Sequence, residues 1–225
     1  MHTNGILSAV PDILEAEAND SVPASMKNNL HVCPAIALTD DMKIKLIAEH
    51  FREIMRIMGL DVNDPGLIGT PGRVAKMYVK EVFSGLNPAN KPNITLFENK
   101  SKHKKMVIEK NISLYSYCEH HFVPIIGKAH VAYLSNGKLI GLSKLNRIVQ
   151  FHSRKPQLQE RLTEEIAASI KEALHTEDVA VVVDAVHLCI ASRGVSDMNS
   201  STFTSHYSGR FLNEDVKTEF LLTIK

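Results

Sequence analysis

Cysteine is scarce in this chain: three in 225 residues, an odd number and too few for a disulfide framework. Two of the three stand beside histidines, which suits metal-bound or free thiols in a reducing compartment, and Cys33 in the N-terminal region is expected to be a bystander. An excess of charge is also lacking. With 26 Lys+Arg against 25 Asp+Glu and a formal net of +1, no whole-protein field favours nucleic acid or an acidic membrane surface, so any anion site must be local. No apolar run approaches the roughly 20 residues that cross a bilayer. The first ten residues have neither a basic stretch nor a long apolar core, and they soon meet Pro11 and Asp12, so they do not read as a secretory signal. A cytoplasmic protein is expected, with no nucleic-acid or membrane partner. Repeats and low-complexity tracts are absent, and a composition that is 44% hydrophobic can bury a full core.

Residues 1–38 mix Asn, Ser, Pro, Ala and acids without sustained periodicity, which suggests a flexible arm. A helical segment over 39–90 follows. Ile44, Ile47, Phe51, Ile54, Met55 and Met58 recur at helical spacing before Gly59. Thr70 and Pro71 predict a second helix start, capped by the hydroxyl, with Val74, Met77, Tyr78 and Val82 on one face. From about residue 91 the chain turns to branched stretches, Ile94–Phe97, Met106–Tyr117 and Gly127–Leu134, the last closed by the turn residues Ser135, Asn136 and Gly137. Helical spacing returns at Ser143, and Pro156 is expected to open a longer helix whose stripe is Leu158, Leu162, Ile166, Ile170 and Leu174. Val179–Val186 reads as a strand, in a strand-like run extending to Ile190, and a final strand is expected over Val216–Ile224. Strands grouped on either side of a helical pair predict an α+β domain with an antiparallel sheet, here over 91–225.

The chemistry concentrates in two short stretches: Cys118, Glu119, His120 and His121, and then His187, Leu188 and Cys189. Thiolate and imidazole are zinc donors, and a three-ligand site leaves a position in which bound water has its pKa lowered to about 7. Cys118 and His121 have the separation with which a turn can aim two side chains at one ion. On a strand, His187 and Cys189 would share a face. A structural zinc site competes with this reading, because His120 or His187 could supply a fourth ligand.

Anion and base contacts have weaker signals. Lys144 and Arg147 are three apart at a helix start, Arg73 lies in the first turn of the second helix, and Arg193 follows the second cluster. Arg73 and Arg193 adjoin Gly72 and Gly194, which let a ligand approach the backbone. Gln159 and Glu160 open the longer helix, where a carboxylate either favours the helix dipole or accepts two hydrogen bonds from a guanine edge. The polar run Ser201–Ser205 could be strand or loop and receives no role.

Together these residues resemble the GTP cyclohydrolase I family. The matching stretches are TPGRVAKMY (70–78), CEHHFVP (118–124), GKAHVAY (127–133), IGLSKLNRIV (140–149), PQLQERLT (156–163) and DAVHLCIASRGV (184–195), in an otherwise similar chain from about residue 40 onward. The resemblance implies that Cys118, His121 and Cys189 hold Zn2+, that His120 and His187 are the acid and base groups, and that Glu160 anchors guanine with help near Gln159. It places Ser143, Lys144, Arg147, Arg193 and Arg73 around the ribose and triphosphate. The implied reaction converts GTP and water to formate and 7,8-dihydroneopterin triphosphate, through hydrolytic opening at C8, an Amadori-type rearrangement of the ribose and ring closure. The implied architecture is the tunnelling fold, four antiparallel strands with two helices between the second and third, assembled as a homodecamer of two stacked five-membered rings with active sites at subunit contacts. Two other readings stay open: another enzyme of that fold acting on a different pterin or deazapurine, and a non-catalytic, zinc-stabilised nucleotide-binding oligomer.

Overall fold

A computed structural model describes residues 38–225, so Cys33 and all but the last residue of the expected N-terminal arm lie outside the described residues. The first helix, α1 (Asp40–Ile57), begins where Thr39 Oγ1 accepts from the Met42 amide at 3.3 Å, with Asp40 and Asp41 in the first turn facing the positive end of the helix dipole. Gly59, at φ +81°, ends it in a conformation that a side chain would oppose. The second helix, α2 (Thr70–Met77), departs from the capping expectation. Thr70 lies inside the first turn, Gly69 holds the cap position without a side-chain bond, and Thr70 Oγ1 accepts instead from Arg73 at 2.9 Å. Beyond Met77 the chain widens into a π-turn, Tyr78–Val82, and Phe83 then packs on Tyr78, Tyr117 and Phe122 with ring centroids 5.1–5.5 Å apart. This aromatic knot ties the helical segment to the residues around Cys118.

The strands are β1 (Leu96–Glu98), β2 (Met106–Cys118), β3 (Pro124–Leu134) and β4 (Lys138–Ile140), followed by α3 (Leu142–Ser153), a two-residue β5 (Pro156–Gln157), α4 (Gln159–Leu174), β6 (Val179–His187), a helical turn α5 (Leu188–Ala191), β7 (Thr202–Tyr207) and α6 (Glu214–Ile224). One sheet runs in the order β5-β2-β3-β6-β7, and β1 pairs with β4 in a small separate ribbon. All long pairings are antiparallel; β5 alone lies parallel, against Tyr117 and Cys118. The mixed α+β class matches the sequence expectation.

Strand alternation sorts the core into two layers. Val179, Val181 and Val183 of β6 face α3 and α4, packing with Leu145, Ile148, Leu162, Ile166 and Ile170, while Ala180 and Val182 face Phe211 and Phe220 on the other side. Each fully buried aliphatic side chain contributes roughly 1.5–3 kcal/mol, so β6, covered on both faces, anchors the domain. In β2 the register shifts between Glu109 and Ile112, where Asn111 takes φ +60°. After that bulge Ile112, Leu114, Ser116 and Cys118 all point inward. The bulge therefore sets which face Cys118 occupies.

Three sequence expectations are corrected here. Val216–Ile224 is not a strand but the body of α6: Asn213 Oδ1 caps the Asp215 amide at 3.0 Å, Glu214 and Asp215 fill the first turn, and Phe220 seals the second core layer. Its β-branched content is overruled by the cap and by that burial. Pro156 does not open the long helix, because Pro156 and Gln157 pair with β2 and α4 starts at Gln159. The run to Ile190 is not all strand: β6 ends at His187, where it meets Ile125 near the start of β3, and Ser192 N then donates back to Leu188 O at 2.9 Å to close a helical turn. None of the described helices is long and apolar enough to cross a membrane.

Between α3 and α4, the Glu165 carboxylate accepts from Lys155 Nζ at 3.2 Å and Gln157 Nε2 at 3.1 Å and faces His152 Nδ1 at 2.9 Å. Burial pushes this carboxyl up, but the His152 bond and the Lys155 charge outweigh it and hold the group at about 2, against an ordinary 4.5. The folded value lies below the unfolded one. The stabilisation is thus complete above about pH 4.5 and is lost as the pH falls toward 2. Urea titrations should show that Glu165→Gln costs about 2 kcal/mol at pH 7, with the deficit relative to wild type shrinking below pH 4. Gly127 makes a second prediction. A Cβ there would sit 2.1 Å from Asp184 O and 2.5 Å from Ala185 Cα, so Gly127→Ala should cost about 3 kcal/mol, read as a lowered melting midpoint.

Candidate metal centre

The β2–β3 connection is a tight turn whose backbone aims its side chains inward. Cys118 N donates to Val123 O at 2.9 Å, Phe122 N donates to Cys118 O at 2.8 Å, and Phe122 takes φ +53°. Cys118, at the end of β2, is buried, while His120 and His121 at the tip are exposed. The second cluster arrives on the α5 turn, just past the end of β6. Cys118, His121 and Cys189 each offer a donor atom, and these three atoms lie within 4.8 Å of one another. Two sulfurs and an imidazole nitrogen at that separation form a donor set that suits zinc.

Because α5 is helical, His187 and Cys189 do not share a strand face as the spacing predicted; the turn swings Cys189 toward Cys118 and leaves His187 on the last residue of β6. Burial pushes the Cys189 thiol up, and the Cys118 sulfur beside it pushes the same way, with Arg193 pulling against both. A cation between the sulfurs would relieve that penalty. His120 Nδ1 lies 3.8 Å from Cys118 Sγ, at the border of the donor group, and Arg193 donates to His121 Nε2 at 2.8 Å.

His187 is held by Gln159. The Gln159 amide nitrogen donates to Val183 O at 3.1 Å, Thr202 O at 2.7 Å and Thr204 Oγ1 at 3.2 Å, which orients the group and turns its oxygen to His187 Nε2 at 2.7 Å. An oxygen there can only accept, so Nε2 carries the hydrogen and Nδ1 is the open nitrogen. Burial lowers the His187 pKa, and the nearby Glu160 carboxylate opposes that shift. All of Gln159's polar atoms are engaged within the chain. It joins β6, β7 and His187, and the polar run Ser201–Ser205, given no role from sequence, supplies two of its acceptors. Glu160, next to it, is exposed.

The cations divide into groups. Arg193 lies just past α5 and reaches His121. Arg73 is tied to Thr70 Oγ1 at 2.9 Å and to Gly66 O at 3.4 Å. Arg147 lines a polar cavity of about 370 Å³ with Lys80 and Arg154, between α3 and the helical segment. Ser143 and Lys144 sit in the first turn of α3, with Ser143 exposed. Arg193 thus reaches the donor group through His121, while Arg73 and Arg147 are engaged elsewhere.

Sequence reasoning missed the clamp that holds the turn. Arg161, buried in the first turns of α4, donates from Nε to Gln157 Oε1 at 2.9 Å and from one terminal nitrogen to Pro156 O at 3.1 Å and Glu119 Oε2 at 2.5 Å. The signal available was an arginine directly after Gln159 and Glu160, where the apolar stripe predicts core.

The family model and two similar relatives agree with each other. The family model for GTP cyclohydrolase I matches residues 47–225. GTP cyclohydrolase 1 of Flavobacterium johnsoniae is 49% identical over 214 residues, covering 95% of this chain and 96% of that protein. The same-named protein of Erwinia tasmaniensis is 50% identical over 193 residues, covering 85% and 87%. A solved archaeosine synthase QueF-Like in the apo form is 18% identical with a TM-score of 0.41, covering 48% of this chain and 97% of that one, too distant a likeness to inform fold or activity. On the family match and the near-full-length relatives, this chain belongs to the GTP cyclohydrolase I family.

Proposed function

We propose that the chain is a zinc-dependent hydrolase that opens the purine of GTP at C8, giving formate and 7,8-dihydroneopterin triphosphate as the first step of a pterin or tetrahydrofolate route. The observation that carries the metal part is the convergence of Cys118, His121 and Cys189 donor atoms within 4.8 Å. Zinc bound there supplies Lewis acidity and water activation at neutral pH. The chain's own residues do the rest. His187, its Nε2–H fixed by Gln159, exchanges a proton with the purine N7 side through Nδ1, and its lowered pKa keeps the imidazole neutral enough to accept one. His120, exposed beside Cys118, serves the proton transfers of the ribose rearrangement, with Ser143 as a further hydroxyl.

Glu160 reads the base. A carboxylate accepts from both the ring N–H and the exocyclic amine of guanine, and adenine offers no such pair. Its closeness to His187 supports this, because the anchor and the proton-transfer group then address one purine. Lys144, Arg147, Arg193 and Arg73 bind the ribose-triphosphate. Arg73 is held by Thr70 and Gly66 and Arg147 lines the cavity beside α3, away from Arg193 on His121, which supports a site completed by a neighbouring subunit. The four long antiparallel strands with α3 and α4 between the second and third favour the tunnelling-fold architecture, with residues 39–90 as an accessory helical segment and 91–225 as the catalytic domain. Edge strand β7 then pairs in rings of five that stack into a decamer in the cytoplasm.

Two measurements test this. Formate release from GTP should fall more than about a hundredfold in Cys189→Ser, and mild chelation should abolish wild-type turnover while sedimentation shows the oligomer intact. Undiminished turnover in the variant rejects the metal assignment, and dissociation on chelation favours a structural zinc. Glu160→Ala should raise KM for GTP by about a hundredfold, the loss of two hydrogen bonds to a charged acceptor, with an unchanged melting midpoint. An unchanged KM would return Glu160 to the helix dipole.

A further inference from the structure

Away from the Cys118 turn, α3 and α4 share a polar cluster that the GTP reading leaves unused. His152, in the last turn of α3 and 8% exposed, lies between two residues of α4 one turn apart: its Nδ1 is 2.9 Å from Glu165 Oε2 and its Nε2 is 2.7 Å from Ser169 Oγ. Spacing of four puts Glu165 and Ser169 on one helix face, and the imidazole from α3 fills the gap between them. Lys155 Nζ and Gln157 Nε2 also donate to Glu165 Oε2, which fixes the carboxylate. An ionised carboxylate can only accept, so Nδ1 carries the hydrogen and the Nε2 lone pair faces the serine hydroxyl. Burial lowers the His152 pKa, opposed by Glu165, and leaves a neutral ring able to take a proton.

The serine's orientation distinguishes this cluster from ordinary satisfaction of a helical hydroxyl. Ser153, Thr163, Ser192 and Thr223 all donate to the carbonyl one turn back. Ser169 engages the imidazole instead. It also lines a cavity of about 390 Å³, bounded by Lys91, Asn93, Ile94, Leu96 and Ala173. Hydroxyl, imidazole and carboxylate stand in series at hydrogen-bond distance, with the hydroxyl end open to a space the size of a small molecule.

We propose that Ser169, His152 and Glu165 form a second, zinc-independent nucleophilic site that takes an acyl group from small carboxylic esters. Ser169 Oγ attacks the carbonyl carbon as His152 Nε2 takes the hydroxyl proton; the ester C–O bond breaks, and the departing alkoxide or phenoxide receives that proton. Water then adds to the acyl-serine with His152 again accepting its proton, the acid departs, and Ser169 regains its hydrogen. Glu165 orients the ring and balances the imidazolium. Lys91, paired with Glu172 at 3.4 Å on the same wall, and Asn93 are the lining groups that can donate N–H to the charge that develops on the carbonyl oxygen.

The test uses the full, zinc-loaded chain with p-nitrophenyl acetate and a fluorophosphonate probe. Wild type should release p-nitrophenol and carry one probe adduct per chain, on the peptide containing Ser169. Ser169→Ala should lose the adduct and at least about a hundredfold of the ester rate while formate release from GTP is unchanged. His152→Gln, checked for an intact melting transition, should slow labelling of Ser169 by a similar factor. No adduct in wild type, an adduct that persists in Ser169→Ala, or a folded His152→Gln labelled at the wild-type rate would overturn the proposal.

Discussion

A guanidinium taken out of water must find acceptors for its hydrogens, and Arg161 finds them in three places: the Gln157 amide oxygen, the Pro156 carbonyl and the Glu119 carboxylate. Glu119 lies between Cys118 and His120. The same hydrogen-bond set therefore fixes the β2–β3 turn, the short β5 and the start of α4 relative to one another. A buried pair left with one partner costs about 3–5 kcal/mol, so the turn is held firmly. The positions of the Cys118 sulfur and of Glu160 follow from this one set of hydrogen bonds, which ties the Cys118–His121 turn and the Glu160 carboxylate together. The aromatic packing of Phe83 on Tyr117 and Phe122 braces this unit from the other side.

The long helix α4 and the central strand were legible because their periodicity and their burial agree, although Leu158, expected in the α4 stripe, precedes the helix and is exposed, and the α1 stripe buries only Met55. The stripe Leu162, Ile166, Ile170 and Leu174 is fully inside, and Val179–Val183 is covered on both faces. Val216–Ile224 misled because branched residues were weighed above the Asn213 cap and the two acids after it, and the fate of Phe220 depends on a second core layer that local sequence does not announce. The metal donors were legible as a set, since soft ligands fall in two tight groups. Their geometry was not: a strand reading of His187 to Cys189 put both on one face, whereas the chain breaks into a helical turn where its partner strand runs out. The Gln159 and Arg161 networks were hidden because each depends on backbone carbonyls or side chains brought from elsewhere by the fold.

Helix α4 serves two polar centres from different parts of its surface. Its first turn carries Gln159, Glu160 and Arg161 toward the sheet edge and the metal turn, while Glu165 and Ser169, one and two turns on, face α3. Gln157 participates in both, receiving from Arg161 through its oxygen and donating to Glu165 through its nitrogen. One amide thereby joins a carboxylate network between the helices to the guanidinium that steadies the β2–β3 turn.

The order β2-β3-β6 has a further consequence for how the donor atoms are brought together. Cys118 ends β2 and Cys189 lies just past β6, so the strands that bring the sulfurs are not neighbours but stand on either side of β3, roughly 10 Å apart at the backbone. An ion held by Cys118, His121 and Cys189 would tie these two strands to each other across the beginning of β3. Any flexing or twisting of the three strands changes the gap between the two sulfurs, so the mechanical state of the sheet and the spacing of the donor atoms are one property rather than two.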